Sequence, residues 1–151
     1  LEITVKSFKT HLSELKVWMP PKGSGLGIAR INMPQVKADD YPDYIKYLEK
    51  MGIVFKAKTI DPNKLLPIQR EFNIQGVERS LSKMASLVPG AKDKSIIISK
   101  DNYIVDGHHR WIAYKNVGKN INVMQANVDM KKLLDATNKY PKVYNRSNQN
   151  K

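Results

Sequence analysis

Ser95-Ile96-Ile97-Ile98-Ser99-Lys100-Asp101-Asn102-Tyr103-Ile104-Val105-Asp106-Gly107-His108-His109-Arg110 is the stretch on which the fold turns. Three consecutive isoleucines between serines read as a strand. Lys100-Asp101-Asn102 is a tight turn, since Asp and Asn bond their own backbone and tolerate turn conformations. Tyr103 to Val105 is the return strand. Asp106 to His109 reads as a sharp bend into a helix over 110–117, and Gly118 stops it. Trp111, Ile112 and Tyr114 on that helix are core candidates.

A strand that turns abruptly into a helix leaves free N–H groups at the helix start, and these together with the helix dipole favour an anion. Gly107 allows an unusual φ and a close ligand approach. Arg110 can fork onto phosphate oxygens, with pairing to Asp106 or Glu71 as the scaffolding alternative. His108 and His109 add donors or a proton shuttle. Adjacent histidines at a helix start point in different directions, so one of them reads equally well as a packed residue. Asp106 can cap the helix or hold a hydrated metal ion. A zinc site is disfavoured, because adjacent histidines rarely share one metal and no third ligand has fitting spacing.

Outward from this unit the chain alternates strand and helix signals. Pro42, after Asp39 and Asp40 as caps, opens a helix whose inner face is Tyr44, Ile45, Leu48 and Met51, and Gly52 ends it. A strand follows over 53–60, with Val54 and Phe55 at its apolar start, and Asp61-Pro62-Asn63 is a turn. Residues 64–72 form a short, ambiguous segment. A helix is predicted over 73–87, with Ile74, Val77, Leu81, Met84 and Val88 inward. A strand over 121–128 and a helix over 130–140, with Leu133, Leu134 and Thr137 on one side, complete the pattern. Residues past Tyr140 are polar and read as a fraying end. Near the start, Leu12, Leu15 and Met19 suit one short helical face. Pro20 to Gly27 is breaker-rich, but it lacks the Gly-Lys-Ser/Thr ending of a P-loop and no apolar strand leads into it.

The 151 residues carry 26 Lys and Arg against 14 Asp and Glu, a net charge of +12. The excess is uneven, at +3 over 1–30 and +5 over 131–151. A basic chain attracts polyanions and loses that attraction with salt, so nucleic acid is the expected partner. Cysteine is absent, which excludes disulfides, thiolate metal sites and a cysteine nucleophile. No apolar run is long enough to span a bilayer, so no membrane partner is expected. Charges spread through residues 1–20 break up any signal-peptide core. The start at Leu1 fits a processed product or a fragment.

The hairpin Ile96 to Val105, the Asp-Gly-x-x-Arg box at 106–110 and the upstream Leu66-Pro67-Ile68-Gln69-Arg70-Glu71 together resemble the ParB/sulfiredoxin-like superfamily. The match covers mainly residues 58–128. The resemblance implies an α/β fold, a small mixed sheet with surrounding helices. Residues 1–57 are then an N-terminal extension packed on a core of 58–140, and 141–151 a basic polar tail. Relatives include CTP-binding partition proteins, sulfiredoxins, ATP- or ADP-using free serine kinases and DNA nucleases, among them phage-encoded members. Arg30 to Gln35 is similar to part of the phage-type pattern. Sulfiredoxin chemistry needs a cysteine in the box, which this chain lacks. A partition protein usually carries a helix-turn-helix reader after the box, and here one helix and a tail follow Val128.

The resemblance therefore implies phosphate chemistry, as a DNA nuclease or an NTPase. Nucleotide or nucleic-acid phosphate would rest on Gln69, Gly107, His108, His109 and Arg110. Catalysis would fall to Glu71, Asp106, His108 and His109, with magnesium at Asp106 or Glu71 and ATP or another NTP as substrate or ligand. Two alternatives stand beside it: a kinase of a small hydroxyl substrate such as free serine, and a non-catalytic phage or plasmid DNA-binding module. A cytoplasmic location is implied, that of the host for a phage protein.

Overall fold

A computed structural model of the chain describes residues 17–21, 25–29, 32–69, 72–89, 91 and 93–145. Its elements run α1 (Tyr41–Glu49), β1 (Phe55–Ile60), β2 (Leu66–Pro67), α2 (Ile74–Ser86), β3 (Ile96–Ile98), β4 (Tyr103–Asp106), α3 (His108–Val117), β5 (Ile121–Ala126) and α4 (Met130–Lys139). Short 3-10 turns lie at Ala38–Asp40 and Pro62–Lys64. The expected α/β class, with a small mixed sheet among helices, is what forms. The sheet has five strands in the order β1-β5-β3-β4-β2. The pairs β1/β5 and β3/β4 are antiparallel, whereas β5/β3 and β4/β2 are parallel. Pro67 sits in the edge strand β2, where its missing N–H costs no ladder bond.

The isoleucine strand lies at the centre and is buried on both faces. Ile96 and Ile98 join Val77 and Leu81 of α2, Ile112 of α3 and Val123 in one core. Ile97 points the other way, to Tyr44 and Leu48 of α1 and Leu133 of α4. Two helical layers thus sandwich one sheet. The helix termini follow side-chain chemistry at two points. Asn73 Oδ1 accepts from the amides of Gln75 and Gly76 at 2.8 and 3.3 Å. Asp129 Oδ1 accepts from Lys132 N at 2.9 Å.

Several local expectations are corrected. Neither Asp39 nor Asp40 caps α1 with its side chain; they belong to the 3-10 turn that leads into it. Val88 is 69% exposed, because Leu87 is already extended and the helical phase is lost there. Ile74, Met51 and Val54 are exposed as well, the last two in the loop between α1 and β1. The bend at 106–109 shrinks to one residue. Asp106 ends β4, Gly107 reverses the chain, and α3 begins at His108 rather than Arg110.

The segment past Tyr140 does not fray at once. Gln35 and Tyr144 exchange backbone hydrogen bonds of 2.7 and 3.1 Å, and Val143 packs on the α1/α4 core. At the other end, Asn116 clamps the backbone of Trp18, accepting from its N–H at 2.6 Å and donating to its carbonyl at 2.9 Å. The Trp18 and Trp111 rings meet edge to face. Met19 is half-buried, while Leu12, Leu15, residues 22–24 and 30–31 and the residues beyond 145 lie outside the described residues.

Candidate functional site

Gly107 has φ 107°, in the left-handed region that side-chain-bearing residues avoid. A Cβ there would come within 2.3 Å of the Ile96 side chain, so the glycine is required by its packing on β3. Reversal within a single residue puts both histidines in the first turn of α3, about 100° apart around its axis.

They therefore take different partners on the same loop. His108 is 4% exposed, and its Nε2 accepts from the amides of Ile68 and Gln69 at 3.1 and 3.3 Å. His109 Nε2 accepts from Asn73 N at 2.9 Å. An accepting Nε2 assigns the ring proton to Nδ1 in both. Burial pushes the His108 pKa down to about 3, with the neighbouring His109 adding to the effect. His108 is thus neutral and packed, one of the two roles open to this pair. The His109 ring lies against α2 where a Cβ on Gly76 would be 2.9 Å from it.

Gln69 is buried and lines the cavity at the start of α3. Glu71, expected as a general base, lies outside the described residues, as does Arg70. The two histidine clamps nevertheless hold the backbone on either side of them, at Gln69 and Asn73.

Asp106 makes no cap. Its carboxylate accepts from Tyr41 Oη at 2.6 Å, bringing α1 to the end of β4. Burial raises the Asp106 pKa, against the opposing pull of the Tyr41 hydrogen bond and the Lys94 and Arg110 charges. Burial first, then Asp106, pushes the Tyr41 phenol well above its usual range. Lys94 Nζ stands 4.1 Å from the centroid of the Tyr41 ring, and burial lowers its pKa. Arg110 is largely buried: Nη1 donates to the Lys94 carbonyl at 3.0 Å, and Nε lies 3.8 Å from Asp93. Asp93 in turn accepts from Tyr114 Oη at 2.9 Å, which places the expected Arg110 ion pair with Asp93 rather than with Asp106. Burial, then Asp93, pushes the Tyr114 phenol up to about 12.

These groups surround a cavity of about 520 Å³. Lys37, Lys94 and Arg110 contribute three cations to its lining, and Asp106 one carboxylate. Val36, Ala38 and Tyr144 also line the cavity, on segments joined by the Gln35–Tyr144 backbone pair. Tyr41, Asp93, Lys94 and Lys37 belong to no motif, and sequence reasoning missed them; the only signal was the position of Asp93-Lys94 just upstream of the isoleucine strand.

Magnesium has little to hold it in this set. Among the described residues no group of three or more His, Asp or Glu side chains is arranged to bind a metal ion. The one cavity carboxylate already accepts from Tyr41 and faces two cations. Such a donor set suits an anion. No described helix is long and apolar enough to cross a membrane.

No protein-family model matches the chain, and no curated protein matches it either. Among solved structures the chain is similar to a Pnob8-like ParB-N domain, at 16% identity and a TM-score of 0.43. The similarity covers 56% of this chain and 35% of that one, so the chain spans about a third of its length.

Proposed function

We propose that the protein binds the phosphate groups of a nucleotide in the cavity at the start of α3, as a ParB-like nucleotide- or nucleic-acid-phosphate-binding module. The observation that carries this is the pairing of Lys94 and Arg110. With Lys37 they make three cations at a helix N-terminus, against Asp106 in the lining and Asp93 paired to Arg110 behind it, and burial already weighs against the Lys94 charge. A phosphate there would offset the excess and take charge-assisted hydrogen bonds from both side chains and the first-turn amides. The resemblance of residues 58–128 supports the same ligand class.

Turnover is a further step. A nuclease, an NTPase and a free-serine kinase all need a base that takes a proton from water or a hydroxyl. Both histidine Nε2 atoms are engaged by backbone amides, which leaves Glu71 as the candidate base and the carboxylate available for magnesium. This favours binding over catalysis as the reading, with Glu71 deciding the matter.

The test is calorimetric titration with ATP and CTP, with and without magnesium, alongside assays for DNA cleavage and for phosphoserine formation. Arg110→Ala is expected to weaken nucleotide binding at least tenfold, about 1.4 kcal/mol, in a folded protein. Unchanged affinity removes Arg110 from the site. Turnover that is abolished in Glu71→Gln while binding persists assigns catalysis to Glu71.

A further inference from the structure

The strand β1 closes one edge of the sheet, and its solvent side is basic. Lys56 and Lys58 are exposed, and they sit two residues apart on an extended strand, hence on one face about 6.7 Å apart. They line an open groove of about 710 Å³. Lys64, from the 3-10 turn after β1, and Lys100, from the β3–β4 turn, line the same groove, and both are exposed. No Asp or Glu lines it, and among the described residues none of the four lysines has an ion pair.

The groove floor is fixed. Gln125 Nε2 donates to the carbonyls of Ser99 and Lys100, at 3.1 and 3.3 Å, and to Asn102 Oδ1 at 2.9 Å. Asn127 is tied to both sides of the bend before β1 through Val54 N and Gly52 O. Lys100 is thereby presented on a pinned turn. Lysines on an edge strand also guard against strand-to-strand aggregation, which explains Lys56 and Lys58. It does not explain Lys64 and Lys100, which come from turns and converge on the same groove.

We propose that this groove binds the sugar–phosphate backbone of a nucleic acid, at a surface separate from the α3 cavity. The two share no lining residue. A line of cations along an extended strand complements a linear polyanion. A membrane surface would demand an apolar face, and Val54 is the one strongly exposed apolar side chain in the groove. Binding at the groove does not depend on whether the cavity takes a nucleotide.

The experiment is fluorescence anisotropy of labelled random-sequence oligonucleotides, single-stranded and duplex, against the full chain over a salt series. Combined Lys56→Gln, Lys58→Gln, Lys64→Gln and Lys100→Gln is compared with a control of equal charge, Lys119→Gln, Lys131→Gln, Lys132→Gln and Lys139→Gln. The groove variant is expected to lose about tenfold or more in affinity at low salt. Its log–log salt slope for duplex should fall by about 0.9 for each phosphate no longer neutralised, or about 0.7 for single strands. The control should lose markedly less, and arginine at the same four groove positions should restore binding. Equal losses in groove and control variants would reduce the effect to net charge and overturn the proposal. So would wild-type affinity in a groove variant that aggregates, which assigns the lysines to edge protection. Binding to anionic vesicles or an acidic polypeptide in preference to both oligonucleotides would overturn it as well. The affinity of the groove variant for ATP and CTP is read separately and is expected to match the wild type, because the groove and the cavity share no lining residue, so failure of the cavity reading and failure of the groove reading are separable.

Discussion

The phenol of Tyr41 donates a 2.6 Å hydrogen bond to the carboxylate of Asp106, joining the first turn of α1 to the last residue of β4 across 65 positions of sequence. The pair is half-buried, and the Lys94 ammonium sits over the same ring. Tyr41→Phe keeps the ring and removes the donor. It is expected to destabilise the protein by about 1–3 kcal/mol, because the half-buried carboxylate loses a charge-assisted hydrogen bond. The Asp106 pKa should rise further, since the hydrogen bond holds it down. Urea denaturation and the carboxyl shift of Asp106 over a pH titration check both. Unchanged stability with an unchanged pKa would mean that the bond is not maintained in solution.

His108 should make the fold acid-sensitive. Its folded pKa is depressed to about 3 from 6.5, so below pH 6.5 the unfolded chain binds a proton that the folded one refuses. Stability therefore falls as pH drops from 6.5 toward 3, by up to about 1.4 kcal/mol per pH unit. Asp106, with its raised pKa, works in the opposite sense: the folded state takes up its proton first on acidification. His108→Gln places an amide oxygen near the two backbone donors without a titrating group. Its melting temperature should decline less between about pH 6.5 and pH 4.5 than that of the wild type. Parallel declines would show that His108 does not titrate in that window.

Gly76 and His109 make a close contact between α2 and α3. A Cβ at position 76 would lie 2.9 Å from the imidazole. Gly76→Ala gains helix propensity of about 1 kcal/mol, yet it must displace the ring that holds Asn73 N. A net loss of about 1–2 kcal/mol is expected, since overpacking costs typically about 1–3 kcal/mol. Gly76→Ala in a His109→Ala background should recover the propensity gain. A stabilised single variant would show that the ring moves freely.

Truncation after Tyr140 is expected to destabilise the fold by about 2 kcal/mol, since it removes two backbone hydrogen bonds to Gln35 and the partial burial of Val143. It also takes Tyr144 from the cavity wall, so nucleotide affinity should fall with stability. Truncation after residue 145 should do neither. Thermal melts of the two truncations, with calorimetry, decide between a strap and a dispensable end.

Much of the architecture is local and was legible in the residues. The isoleucine run had to be a strand, Lys100-Asp101-Asn102 had to turn, and the helix that Gly118 stops is observed, although it starts at His108 rather than Arg110. The cationic character of the α3 start, through Arg110, was legible for the same reason: helix ends and their unsatisfied amides are set by neighbours in sequence. The tertiary structure decided the partners. The pairing of β3 with β4 slips between Ile97 and Ile98, so that Ile98 faces Ile104 while Ile97 faces Asp106. This bulge lets Asp106 reach Tyr41 of α1 while Val105 packs in the α1/α4 core, where strict alternation would send them to opposite layers. A bulge and a contact 65 residues distant leave no trace in periodicity. The same holds for the histidines, whose roles depend on which backbone amides a separate loop presents to them.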